Sequence, residues 1–76
     1  MQNSTNMRIL ELLRFLYEQT DENHPATVSD IIAHLNGKGI QAVRQTVYAD
    51  TNALIDAGID IVVVKSTQNQ YFMGSR

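Results

Sequence analysis

Not one of the 76 residues is cysteine, and that absence decides what can hold the chain together. A disulfide framework and a thiolate metal centre are both ruled out, so a chain this short must cohere by apolar packing. Its length gives room for one modest core and no second domain. The composition meets that demand: 43% of residues are apolar and 18% charged, the balance of a globular domain. A cysteine-free chain suits a reducing compartment, so a cytoplasmic setting is expected. No apolar run approaches the roughly 20 residues of a membrane helix. Residues 1–6 are polar and uncharged, and Arg8, Glu11 and Arg14 interrupt the apolar stretch that follows, unlike a secretion signal.

The spacing of the apolar residues sets the expected elements. Ile9, Leu10, Leu12, Leu13, Leu16 and Tyr17 form a wide helical stripe, which predicts a first helix over residues 6–18. Its N-cap is expected among Ser4, Thr5 and Asn6, and the polar, acidic residues 19–23 end it. Pro25 forces an extended step, so residues 24–26 can form a very short strand. Thr27 is placed to cap a second helix over 28–36, where Val28, Ile31, Ile32 and Leu35 fall at i, i+3, i+4 and i+7. Asn36, Gly37, Lys38 and Gly39 then stop it, because glycine accepts the left-handed conformation beyond a helix end. After a loop, Val43, Val47, Leu54 and Ile55 return to the helical period, predicting a third helix over 42–57 that ends near Gly58. Residues 59–65 are largely β-branched, and Gln70, Tyr71, Phe72 and Met73 make a second strand, giving a hairpin over 60–74. Three helices followed by a small β-hairpin is the order of a mainly α, winged helix-turn-helix domain. With no internal repeat, low-complexity tract or linker, residues 1–76 read as one unit.

Packing does not demand every residue of the third helix. Arg44, Gln45, Tyr48, Ala49 and Asn52 fall on a stripe beside the apolar one. A major groove about 12 Å wide admits one α-helix, read by long polar side chains gathered on one face. Arg can bond guanine O6 and N7, Gln or Asn can bond adenine N6 and N7, and a Tyr hydroxyl can donate to a phosphate. Binding to double-stranded DNA is therefore the expected function, against the plain alternative of a solvated helix face. The formal charge of −2 weighs against it, yet the charge is unevenly spread. Residues 1–36 hold two basic and five acidic side chains, whereas residues 37–76 hold four and three, so a nucleic-acid surface belongs to the C-terminal half. Lys38 lies in the turn ahead of the third helix, and Lys65 and Gln68 in the polar hairpin tip, where phosphates or a minor groove are within reach of a wing. Thr27 and Ser29 open the second helix, where free N–H groups favour an anion, although capping alone explains Thr27.

Arg44, Gln45, Thr46, Val47, Tyr48, Ala49 and Asp50, followed by Leu54, Gly58 and Ile61, resemble the R-x-T-V-Y-x-D-x-x-x-L-x-x-x-G-x-x-I signature of the N-terminal domain of WYL-domain transcriptional regulators. Residues 21–25 are also similar to members of that family from Gram-positive bacteria, and DeoR-type domains share the pattern more loosely. The resemblance runs from residue 8 to residue 76. It implies a bacterial DNA-binding regulator whose third helix is the recognition helix and whose hairpin is the wing, with Arg44, Thr46 and Tyr48 at positions that meet DNA. It further implies that a ligand-sensing region follows. Independently of the resemblance, Arg44 as the one basic residue on the reading face predicts weak binding by a single copy, so a homodimer on a repeated half-site is expected for the full-length protein. The chain departs from the pattern at Ala49, where many relatives carry Arg, and in the long turn over residues 36–41.

No catalytic or cofactor pattern stands out. His24 and His34 are ten residues apart, outside any metal-binding motif, and surface or cap roles suit them. Gly37, Lys38 and Gly39 lack the spacing of a phosphate-binding loop, and no nucleophile motif is present. Asp50 is expected to serve a structural salt bridge or backbone contact. An enzyme, a bound metal and a cofactor are therefore not expected. The competing reading is a winged helix that docks a partner protein, favoured by the acidity of the chain and by Ala49. Phe15 and Tyr17 on the first helix are either extra core packing or part of a dimer surface.

Overall fold

The computed structural model describes residues 4–74, and the side chains from residue 6 onward. Its elements run α1 (Ser4–Gln19), β1 (Ala26–Thr27), α2 (Val28–Gly37), α3 (Arg44–Asp56), β2 (Ile61–Val64) and β3 (Gln70–Met73). The strands form one antiparallel sheet in the order β1-β3-β2. Three helices with a small sheet closed by a hairpin make a winged helix-turn-helix topology. No helix among the described residues is long and apolar enough to cross a membrane.

The core is where the three helices meet one face of the sheet. Leu12 and Leu16 of α1, Val28, Ile31 and Leu35 of α2, and Val47 and Leu54 of α3 pack with Ile61, Tyr71 and Met73 of the sheet. The stripe on α1 is narrower than its sequence promises. Leu12 and Leu16 are buried and Ile9, Leu13 and Phe15 partly so, but Leu10 is 66% exposed and Tyr17 also faces outward. The helix begins earlier than expected as well: Ser4, Thr5 and Asn6 lie within it instead of capping it.

Thr27 caps α2 as expected. Its hydroxyl accepts the Asp30 N–H at 3.1 Å, and the Asp30 carboxylate accepts the Thr27 N–H at 3.1 Å, a reciprocal capping box. The short strand is shifted one or two residues, to Ala26 and Thr27, and pairs with Tyr71 and Gln70 of β3. Thr20 fastens α1 to the same strand, because its buried hydroxyl donates to the Leu16 carbonyl at 2.6 Å and accepts the Met73 N–H at 3.1 Å.

The C-termini of α2 and α3 are built alike. Gly39 has φ 77°, its N–H bonds to the Asn36 carbonyl, and the Ile40 N–H bonds to the Leu35 carbonyl. Gly58 has φ 97°, with Gly58 N–H on Ile55 and Ile59 N–H on Leu54. Each is a Schellman closure with an apolar residue following the glycine onto the core. Gly39, not Gly37, ends α2; Gly37 lies inside the helix.

Exchange of these glycines for alanine should therefore give opposite signs. Gly39→Ala and Gly58→Ala force a side chain into the left-handed region and should each cost about 1–2 kcal/mol. Gly37→Ala meets open space on a helical backbone and should stabilise by about 0.5–1 kcal/mol. Urea denaturation of the three variants measures the contrast.

Candidate nucleic-acid interface

Successive residues of an α-helix are rotated by about 100°, which divides α3 into two faces. Val47, Asp50, Thr51 and Leu54 fall on one arc and are buried. Arg44, Gln45, Tyr48, Ala49 and Asn52 fall on the other and are exposed. The polar stripe legible in the sequence is thus an outward surface.

The helix is shorter at both ends than the expected 42–57. Val43, which had the right spacing for its apolar stripe, is extended at φ −128°, ψ 168° and is 56% exposed. The cause is Thr46, whose hydroxyl accepts the Val43 N–H at 3.1 Å and donates to the Val43 carbonyl at 2.7 Å. That turn lets α3 start at Arg44. At the other end Ala57 is the C-cap, ahead of Gly58.

The inner face of α3 is anchored by charge as well as by apolar contact. Arg8 of α1 donates to Asp50 through Nε at 2.6 Å and Nη2 at 3.1 Å, the two carboxylate oxygens each taking one bond. The side chains are 17% and 7% exposed. The hydrogen bond to Asp50 raises the Arg8 pKa above its ordinary value, against the opposing effect of burial. Asp50 therefore has the structural partner its position implied.

Of the other proposed contact residues, Ser29 and Arg44 are brought together: Arg44 Nη2 donates to the Ser29 hydroxyl at 3.3 Å across the turn between α2 and α3. Thr27 spends its hydroxyl on the α2 cap, and Thr46 on the start of α3. Lys38 is exposed at the rim of a cleft that also takes in Met7, Arg8, Ile40, Val43 and Thr46. This cleft between the start of α1 and the long turn carries no sequence signal, since its walls are far apart in the chain. Lys65 and Gln68 are exposed at the hairpin tip, where the Ser66 hydroxyl donates to the Gln68 carbonyl at 2.7 Å.

The histidines lie elsewhere. His24 Nδ1 is 2.9 Å from Asp21 Oδ1 in the turn after α1, and this bond lowers the Asp21 pKa. His34 stacks on Phe15 with ring centroids 4.3 Å apart and meets Glu11 Oε2 at 2.8 Å through Nε2, joining α2 to α1. The His34 bond is the chief cause of a lowered Glu11 pKa; burial opposes it, and nearby Arg14, Lys38 and His34 charges assist. Phe15 is thus core packing, whereas Tyr17 is half exposed. No group of three His, Cys, Asp or Glu residues able to hold a metal ion occurs among the described residues.

In comparisons with known proteins, no family model, no curated protein and no solved structure matches the chain.

Two outcomes are expected. Asp50→Ala leaves a largely buried guanidinium unpaired and should destabilise the domain by about 3 kcal/mol, measured by urea denaturation. A carboxylate whose folded pKa is depressed stabilises above its ordinary pKa, and that contribution disappears as the pH falls through the folded value. Glu11 should contribute in this way above its ordinary 4.5 and lose that contribution as the pH falls below it, so Glu11→Gln should flatten the acid limb of a thermal-melt series run from pH 6 down to about pH 3.

Proposed function

We propose that this chain is a sequence-specific, duplex-DNA-binding domain of a bacterial transcriptional regulator, with α3 in the major groove and the β2–β3 hairpin on the backbone or minor groove. The observation that carries the reading is the exposed arc of α3, on which Arg44, Gln45, Tyr48 and Asn52 stand together while the opposite face is locked into the core. A helix with its side chains is about 10–12 Å across and matches the groove. The resemblance of residues 44–61 to the WYL-regulator signature supports the same role.

Charge tempers the affinity of a single copy. Arg8 and Arg14 are paired with carboxylates, which leaves Arg44, Lys38 and Lys65 as exposed cations for phosphates among the described residues. Two or three neutralised phosphates give a salt slope of only about −2 to −3 per copy. Tight binding then calls for two copies on a repeated half-site.

A protein-binding winged helix is the second reading, favoured by the exposed Leu10, Tyr17 and Val43 and by the net charge of −2. Salt separates the two, because an apolar interface loses little affinity as salt rises.

Arg44→Ala should abolish duplex binding in fluorescence anisotropy while the melting temperature stays within about 2 °C of wild type, since the residue is exposed. Equal binding by wild type and variant across a salt series would refute the recognition-helix assignment.

A further inference from the structure

The cation on the outer arc of α3 does not point along it. Arg44 is the first residue of the helix, and its guanidinium reaches back to Ser29 on α2. The remaining residues, Gln45, Tyr48, Ala49 and Asn52, follow at i, i+3, i+4 and i+7 and are all exposed. At about 1.5 Å per residue they cover about 10 Å of helix, close to three base steps of about 3.4 Å. Asp56 continues the same face one turn further and is exposed. Its carboxylate is repelled by phosphates, so the last turn of α3 is held away from a groove and the earlier turns enter it. What remains to meet base edges is two carboxamides, a methyl group and a phenol.

Those groups are not neutral among bases. Guanine presents two acceptors, O6 and N7, and is best met by the two parallel donors of a guanidinium. Adenine presents N7 as acceptor and N6 as donor, matched by the one donor and one acceptor of a carboxamide, and its partner thymine offers a methyl group for apolar contact. Resting on the DNA-binding reading above, we propose that the duplex this chain selects presents neighbouring A·T pairs to α3. Gln45 and Asn52 read adenine, Ala49 lies against a thymine methyl, and Arg44 with Ser29 holds a backbone phosphate.

Selection of duplexes from a random pool by the full chain, repeated with Gln45→Ala, Asn52→Ala and Arg44→Lys, tests this. Wild type should enrich a short run of A·T pairs. Gln45→Ala and Asn52→Ala should each lose the preference at one position, with affinity for the selected duplex lowered about tenfold. Arg44→Lys should weaken every duplex alike and leave the selected sequence unchanged. A site anchored on guanine, an Arg44→Lys variant with an altered base preference, or binding indifferent to sequence overturns the inference while duplex binding itself stands. A wild-type chain that is helical by circular dichroism yet retains no duplex overturns both the inference and the reading beneath it.

Discussion

Everything the outer face of α3 presents depends on how the helix is rotated about its own axis, and the Arg8–Asp50 pair is the directional constraint on that rotation. Apolar contacts at Val47 and Leu54 pull one side of α3 into the core, but a hydrophobic contact has no preferred direction. A guanidinium holding both oxygens of a carboxylate does. α1 lies against α2 and β3, and α2 against α3, so the pair closes the remaining side of the helical frame. With Asp50 held inward, Gln45, Tyr48 and Asn52 have no orientation open to them except toward solvent.

The two Schellman closures set the length and the exit angle of what that pair orients. Each follows the pattern Leu, three residues, Gly, Ile: residues 35–40 and 54–59. In both, the isoleucine returns to the core at once, so the chain cannot drift after the helix ends. The long turn after α2 is therefore not slack. Ile40 and the buried Ala42 pin it from below, and Thr46 reaches back to fix Val43 above.

Local chemistry made much of the fold readable from the sequence. Thr27 announces the start of α2, and the spacing of Val28, Ile31 and Leu35 identifies its buried face; the answering Asp30 carboxylate is seen only in the structure. The exposed stripe of α3 was legible for the same reason, since a 3.6-residue period sorts side chains before any tertiary contact is known. Ends and long-range partners were not. Val43 had the spacing of a helical core residue, but the competing hydroxyl of Thr46 decided its conformation. Ser4, Thr5 and Asn6 are good caps by type, yet they continue α1, because residue preference at a helix end is a weak bias. The partners Arg8–Asp50, Thr20–Met73 and Ser29–Arg44 are set by how elements pack, which no local pattern encodes.

Thr20 substitutes for a missing length of strand. Beside β3, the two-residue β1 pairs with Gln70 and Tyr71 and then stops, and the next N–H on that side, at Met73, is taken by the Thr20 hydroxyl. One side chain thereby seals a sheet margin that backbone would otherwise have to cover. Among the described residues, the open margins left are the outer sides of the two-residue β1 and of the four-residue β2, the latter running into Lys65. A foreign strand finds too few rungs there to lengthen the sheet, so copies of this domain that gather on a common scaffold resist fusing through their β-structure.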